Sequence, residues 1–105
     1  MDIESKAQLL RVVAHPTRLR IIERLAAEGE PLCVSDLEPD LGIPQPNVSQ
    51  HLAVLRKAGV VDFYVDGRLR CYFLKDPRIA ELVALLDQEA AAELSPPTCC
   101  TAKVP

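Results

Sequence analysis

The chain has 105 residues, 49% hydrophobic and 26% charged, enough for one small globular domain and too few for two. A net charge of −3 argues against coating of nucleic acid by bulk charge, and with the acidic start Met1-Asp2-Ile3-Glu4 a basic-then-apolar export signal is not expected. The densest apolar stretch, Leu82 to Leu86, is far shorter than a membrane span, so a cytoplasmic protein with reduced thiols is expected. So short a domain buries a modest share of its surface, which favours a partner subunit.

In chain order, Ile3, Ala7, Leu10 and Ala14 recur at helical spacing. Leu19, Ile21, Ile22 and Leu25 do the same after Pro16, a residue suited to a first helical turn. Two helices therefore precede Gly29. Ser35-Asp36-Leu37-Glu38 has the form of a capping box and opens a short helix ending at Gly42, in which Pro39 removes one hydrogen bond. Val48, Leu52 and Leu55 make the apolar stripe of a helix from about Gln45 to Ala58, stopped by Gly59 with Arg56 and Lys57 in its last turn.

From Val60 the period falls to two. Val61, Phe63 and Val65 alternate with Asp62, Tyr64 and Asp66; past Gly67, Leu69, Cys71 and Phe73 alternate with Arg68, Arg70 and Tyr72. This predicts a β-hairpin with a tight Asp-Gly turn, with Phe63, Leu69, Cys71 and Phe73 facing inward. Asp76-Pro77 then starts a last helix with the stripe Ile79, Leu82, Val83, Leu86 and Ala90, which fades before Ser95. The expected organisation is one mainly α domain with a small β-hairpin at 1–94 and a flexible, Cys-containing tail at 95–105.

Residues 1–30, 31–44, 45–75 and 76–105 carry net charges of 0, −3, +3 and −3. Any surface that faces a polyanion therefore belongs to residues 45–75. Within them, a short helix, a turn at Leu41-Gly42-Ile43 and a second helix with a polar first half form a helix-turn-helix, whose second helix enters the DNA major groove. Gln45, Asn47, Ser49, Gln50 and His51 are the candidates for base edges, because uncharged groups test donor and acceptor patterns. Arg56, Lys57, Arg68 and Arg70 suit phosphates. A helical hairpin with a solvated polar face would have the same spacing; the basic hairpin that follows, tipped by Gly67-Arg68 as a wing beside the groove, favours DNA.

The blocks AHPTRLRIIERL (14–25), LCVSDL (32–37), LGIPQPNVSQHLAVLRKAGVV (41–61) and DGRLRCYFL (66–74) resemble the ArsR/SmtB family of metalloregulatory repressors over most of residues 5–90. The resemblance implies a winged helix-turn-helix with five helices, a homodimer through the first and last helices, and repression of an operon until an inducer binds. One departure is Pro44, which stands where family members often place a Ser or Thr cap on the reading helix.

The arsenic-responsive branch opens its short helix with a pattern like CVCDLC; here Cys33 is kept, and Ser35 and Glu38 replace the other two thiols. The adjacent pair Cys99 and Cys100 restores a set of three if the tail folds back, within a subunit or across the dimer. Three thiolates suit trivalent arsenic, a soft centre. The resemblance thus implies a repressor of an arsenic-resistance operon, released from operator DNA when arsenite or a related arsenical or antimonite binds Cys33, Cys99 and Cys100. Cys71, in phase with Leu69 and Phe73, reads as a packing residue.

Zinc-sensing relatives carry His and acidic ligands on the last helix, and residues 77–94 contain no His. With no phosphate loop and no nucleophile-base pair, enzyme activity is not expected, nor is a catalytic cofactor. The alternative within the same fold is a thiol redox or reactive-sulfur sensor, which needs two cysteines that meet. A single-strand-binding module would stack bases on outward aromatic rings, and the expected inward phase of Phe63 and Phe73 leaves no row of them.

Overall fold

The computed structural model describes residues 1–88. Its elements are helices α1 (Ile3–Val13), α2 (Pro16–Glu28), α3 (Val34–Leu41) and α4 (Gln45–Lys57), strands β1 (Val61–Asp66) and β2 (Leu69–Leu74), and helix α5 (Pro77–Asp87). These are the five helices and one hairpin that the spacing predicts. The 94/95 boundary and the tail with Cys99 and Cys100 lie outside the described residues.

Helix boundaries follow local chemistry. The Asp2 carboxylate accepts the Ser5 amide at 2.7 Å, His15 Nδ1 accepts the Thr17 amide at 3.1 Å, and Asp76 accepts the Arg78 amide at 3.0 Å, so each satisfies an orphan N–H of a first turn. The α3 cap differs from the expected box at Ser35. The helix starts two residues earlier, with Cys33 at the cap and the Asp36 carboxylate accepting the Cys33 amide at 3.0 Å. Asp36, not Glu38, is thus three residues past the cap, and its short side chain reaches back as the box requires.

The core joins Val12 and Val13 of α1, Ile21, Ile22 and Leu25 of α2, Leu37 of α3, Val48, Leu52 and Leu55 of α4, Val60, Val61 and Tyr72 of the hairpin, and Ile79 and Val83 of α5. The α4 stripe is as predicted. In α1, however, Val12 and Val13 face the core, while Ile3 and Leu10 are 72% and 54% exposed. Leu85 and Leu86 of α5 are likewise 61% and 70% exposed. The apolar stripes at both ends of the chain therefore have more surface than one subunit's core takes up.

The hairpin corrects an expectation. Asp66 pairs with Leu69, so Gly67 and Arg68 are the two central turn residues, with Gly67 at φ 63°. A positive φ at the first central position alone is the pattern of a type II′ turn. This turn sets odd residues of β1 opposite even residues of β2: Phe63 faces Tyr72, and Tyr64 faces Cys71. Paired residues share a face, so Tyr72 is the buried ring, and Leu69, Cys71 and Phe73 lie on the opposite side from the core. Leu32 adds a third, single-residue rung on the far edge of β2: its amide and carbonyl both bond Tyr72 at 2.9 Å.

Candidate nucleic-acid interface

Helix α4 buries Val48, Leu52 and Leu55 and leaves Gln45, Asn47, Ser49 and Gln50 exposed. Pro44 caps it without a side chain; its carbonyl accepts the amides of Asn47 and Val48 at 3.0 and 3.2 Å. The first turn is therefore held by backbone alone, and the polar side chains at its start have no capping duty.

His51 differs from its neighbours. It is half-buried, its ring lies 4.6 Å from that of His15, and its Nδ1 accepts a hydrogen bond from Arg18 Nε at 3.2 Å. Arg18 also donates to the Val12 carbonyl at 3.1 Å. Burial, followed by the neighbouring His15 and Arg18, pushes the His51 pKa down. His51 thus ties the reading helix to the start of α2 and the end of α1.

Between α4, the start of α3 and the hairpin lies an open cleft of about 830 Å³, lined by Cys33 and Ser35 of the α3 start, Gln45, Ser49, Arg56 and Lys57 of α4, and Asp62, Phe63, Arg68, Arg70, Tyr72 and Lys75 of the wing and its flank. Five of these side chains are basic and one, Asp62, is acidic. The structure thus brings Gln45, Ser49, Arg56, Arg68, Arg70 and Cys33 into one concavity. Asn47 and Gln50 stand on the exposed surface of α4 outside its lining.

Phe63 organises the basic groups. The Arg56 and Arg70 guanidinium carbons lie 4.4 and 4.8 Å from its ring centroid, within cation–π range. Arg56 Nε also donates to Asp62 Oδ1 at 3.0 Å, and Lys75 Nζ lies 3.9 Å from Asp62 Oδ2. The Phe63 amide and then Arg56 hold the Asp62 carboxyl below its ordinary range, so it stays charged. Neither this platform nor Lys75 is visible in the sequence as part of a site; the inward phase of Phe63 and the basic pattern 56, 70 are the only signals.

At the cleft's α3 end, the Cys33 thiol donates to Asp36 Oδ2 at 2.9 Å and lies 3.1 Å from Ser35 Oγ. That thiol contact, with the Cys33 amide, lowers the Asp36 pKa. No group of three or more His, Cys, Asp or Glu side chains that would hold a metal ion occurs among the described residues. Cys71 and Cys33 are both free thiols there.

A helical core, a helix with a polar exposed start and a basic wing beside it define a winged helix-turn-helix DNA-binding regulator. Residues 15–62 match the profile described as "Bacterial regulatory protein, arsR family". The fold is similar to the crystal structure of Rv0081 of Mycobacterium tuberculosis, with a TM-score of 0.70 and 41% identity over 77% of this chain and 80% of that one. It is also similar, at a TM-score of 0.71 and 26% identity over 80% and 76% of the two chains, to the homodimeric winged helix-turn-helix domain of Mb0332 from Mycobacterium bovis. In sequence, a probable mercury resistance operon repressor of Streptomyces lividans is 37% identical over 93% of this chain and 77% of its own length. The chain belongs to the arsR family and is a DNA-binding transcriptional repressor. No helix among the described residues is long and apolar enough to cross a membrane.

Proposed function

We propose that two copies of this chain bind operator DNA of an arsenic-resistance operon and release it when trivalent arsenic is held by Cys33, Cys99 and Cys100. The observation that carries this reading is the position of Cys33, which caps the first helix of the helix-turn-helix and lines the same cleft as Ser49, Arg56 and Arg68. Drawing that sulfur into arsenic–thiolate bonds breaks its contact with Asp36 and loads the start of α3, which packs against the reading helix. Soft thiolate ligands favour such a centre over hard-ligand metals. One relative is named as a probable mercury resistance operon repressor, and mercury, like trivalent arsenic, is a soft ion.

In the DNA complex, Gln45, Asn47, Ser49 and Gln50 take base edges and Arg56, Arg68 and Arg70 take phosphates. His51 acts from beneath, by fixing the helix that presents them. The homodimeric relative supports pairing of two copies, and pairing through α1 and α5 would cover their exposed apolar residues.

Anaerobic titration of the reduced full chain with arsenite, followed by thiol counting, tests the ligand set. Loss of three thiols per chain, and of fewer in Cys33→Ser, is expected. An unchanged count in Cys33→Ser removes Cys33 from the site.

A further inference from the structure

By backbone register, Cys33 stands opposite a second cysteine that its sequence position does not suggest. Leu32 and Tyr72 exchange both backbone hydrogen bonds, each 2.9 Å, in an antiparallel bridge. In that register the next residue of one segment stands opposite the preceding residue of the other, and these are Cys33 and Cys71. Such a position, beside a doubly bonded rung, is a non-hydrogen-bonded one, where Cα atoms are about 4.5 Å apart and side chains approach most closely. Cys33 keeps extended backbone there, with φ −86° and ψ 167°. Leu32 and Tyr72 pack into the core, so alternation carries the side chains of Cys33 and Cys71 to the other face together. Both residues are half-buried and both thiols are free. Residues at such a ladder position lie within the range of about 4.4 to 6.8 Å that two covalently bridged cysteines span.

We infer that Cys33 and Cys71 form a dithiol site for a monosubstituted trivalent arsenical, a soft centre with two open positions. The inference rests on Cys33 being a ligand, as proposed above, and adds a partner from the wing in place of the tail. Capture exchanges bonds without redox change: an arsenoxide R–As=O and two thiols give R–As(S)₂ and one water, the two S–H protons leaving on the arsenoxide oxygen while arsenic stays trivalent. Cys33 leaves its contact with Asp36 as it turns to Cys71. Because Cys33 caps α3 and Cys71 belongs to β2, the bridge ties the helix-turn-helix to the wing across the edge of the cleft.

Phenylarsine oxide is the probe, and the full chain carrying Cys99→Ser and Cys100→Ser is the protein, so that the tail is silent. One phenylarsenic group per chain, loss of two thiols, and retention against excess monothiol are expected. Tryptic digestion should then join residues 25–56 to residues 71–75 through arsenic, a readout that needs no change at either cysteine. Cys71→Ser and Cys71→Ala, checked for native melting, should each lose the retained adduct. No retained adduct in the tail-silent chain, or one that survives both changes, overturns the inference. In the chain with its tail intact, capture that depends on Cys33 but not on Cys71 would leave the reading above standing while the dithiol falls; capture independent of Cys33 would overturn both.

Discussion

At the scale of single residues, position around α4 decides what each polar side chain does. Arg68, at the second position of the turn, is exposed and reaches into the cleft from the wing side. Its replacement, Arg68→Ala, should weaken DNA binding on specific and random sequences alike and reduce the slope of log K against log salt by about 1, as loss of one phosphate contact requires. An unchanged slope in a salt titration would place Arg68 away from DNA. His51 sits at the margin of the buried stripe and predicts a pH effect on stability. Its folded pKa lies below the ordinary 6.5, so the unfolded chain binds the proton first as pH falls. The stabilisation is complete above about pH 6.5 and is lost as pH drops through the lowered folded value. Chemical denaturation across pH 5 to 8 checks this, and His51→Gln, which keeps an acceptor for Arg18, should flatten the profile between those limits.

At the scale of elements, the wing shows what a period-two pattern leaves open. Alternation along each strand is visible in the sequence, but the phase between strands depends on the turn's residue count: a two-residue turn pairs odd residues of β1 with even residues of β2, so Tyr72 and not Cys71 shares the face of Phe63. The α4 stripe was legible because Val48, Leu52 and Leu55 admit one helical face. α1 was not, because it has two apolar stripes, and nothing in the chain itself says which one meets its own core. Likewise the cap of α3 shifted from Ser35 to Cys33 because Asp36 reaches back to the Cys33 amide. The cleft's hydrogen-bonding and basic residues could be read from their types, whereas Phe63 as a shared platform for Arg56 and Arg70 depends on the observed register. Gly67 carries that register at φ 63°, a conformation that costs a residue with a Cβ about 1 to 2 kcal/mol. Gly67→Ala should therefore lower stability by about 1 kcal/mol in thermal unfolding and weaken DNA binding further than the fold loss explains, since Arg68 is displaced with the turn. Wild-type DNA affinity in this variant would show that wing placement does not matter to binding.

At the scale of the whole molecule, the two apolar ends meet the demand of so short a chain for extra burial. Ile3, Leu10, Leu85 and Leu86 are exposed in the single subunit, and a charge at this surface opposes association through desolvation. Leu10→Glu combined with Leu86→Glu should give monomers in sedimentation analysis, with core helicity kept because neither residue belongs to the buried cluster. A paired wing and reading helix, two per dimer, suit half-sites one helical turn apart, so the monomer should lose most operator affinity. If the double variant remains dimeric, the subunits meet elsewhere.

The most direct measurement is release of DNA by arsenite. The reduced chain is bound to DNA from upstream of its own gene, arsenite is added anaerobically, and anisotropy is followed for the wild type and for Cys33→Ser side by side. The expected result is DNA binding by both, with release from the wild type and a much weaker response from Cys33→Ser. Equal release from the two proteins, or a wild-type complex that arsenite leaves intact, would contradict a repressor switched through the thiol at the start of α3.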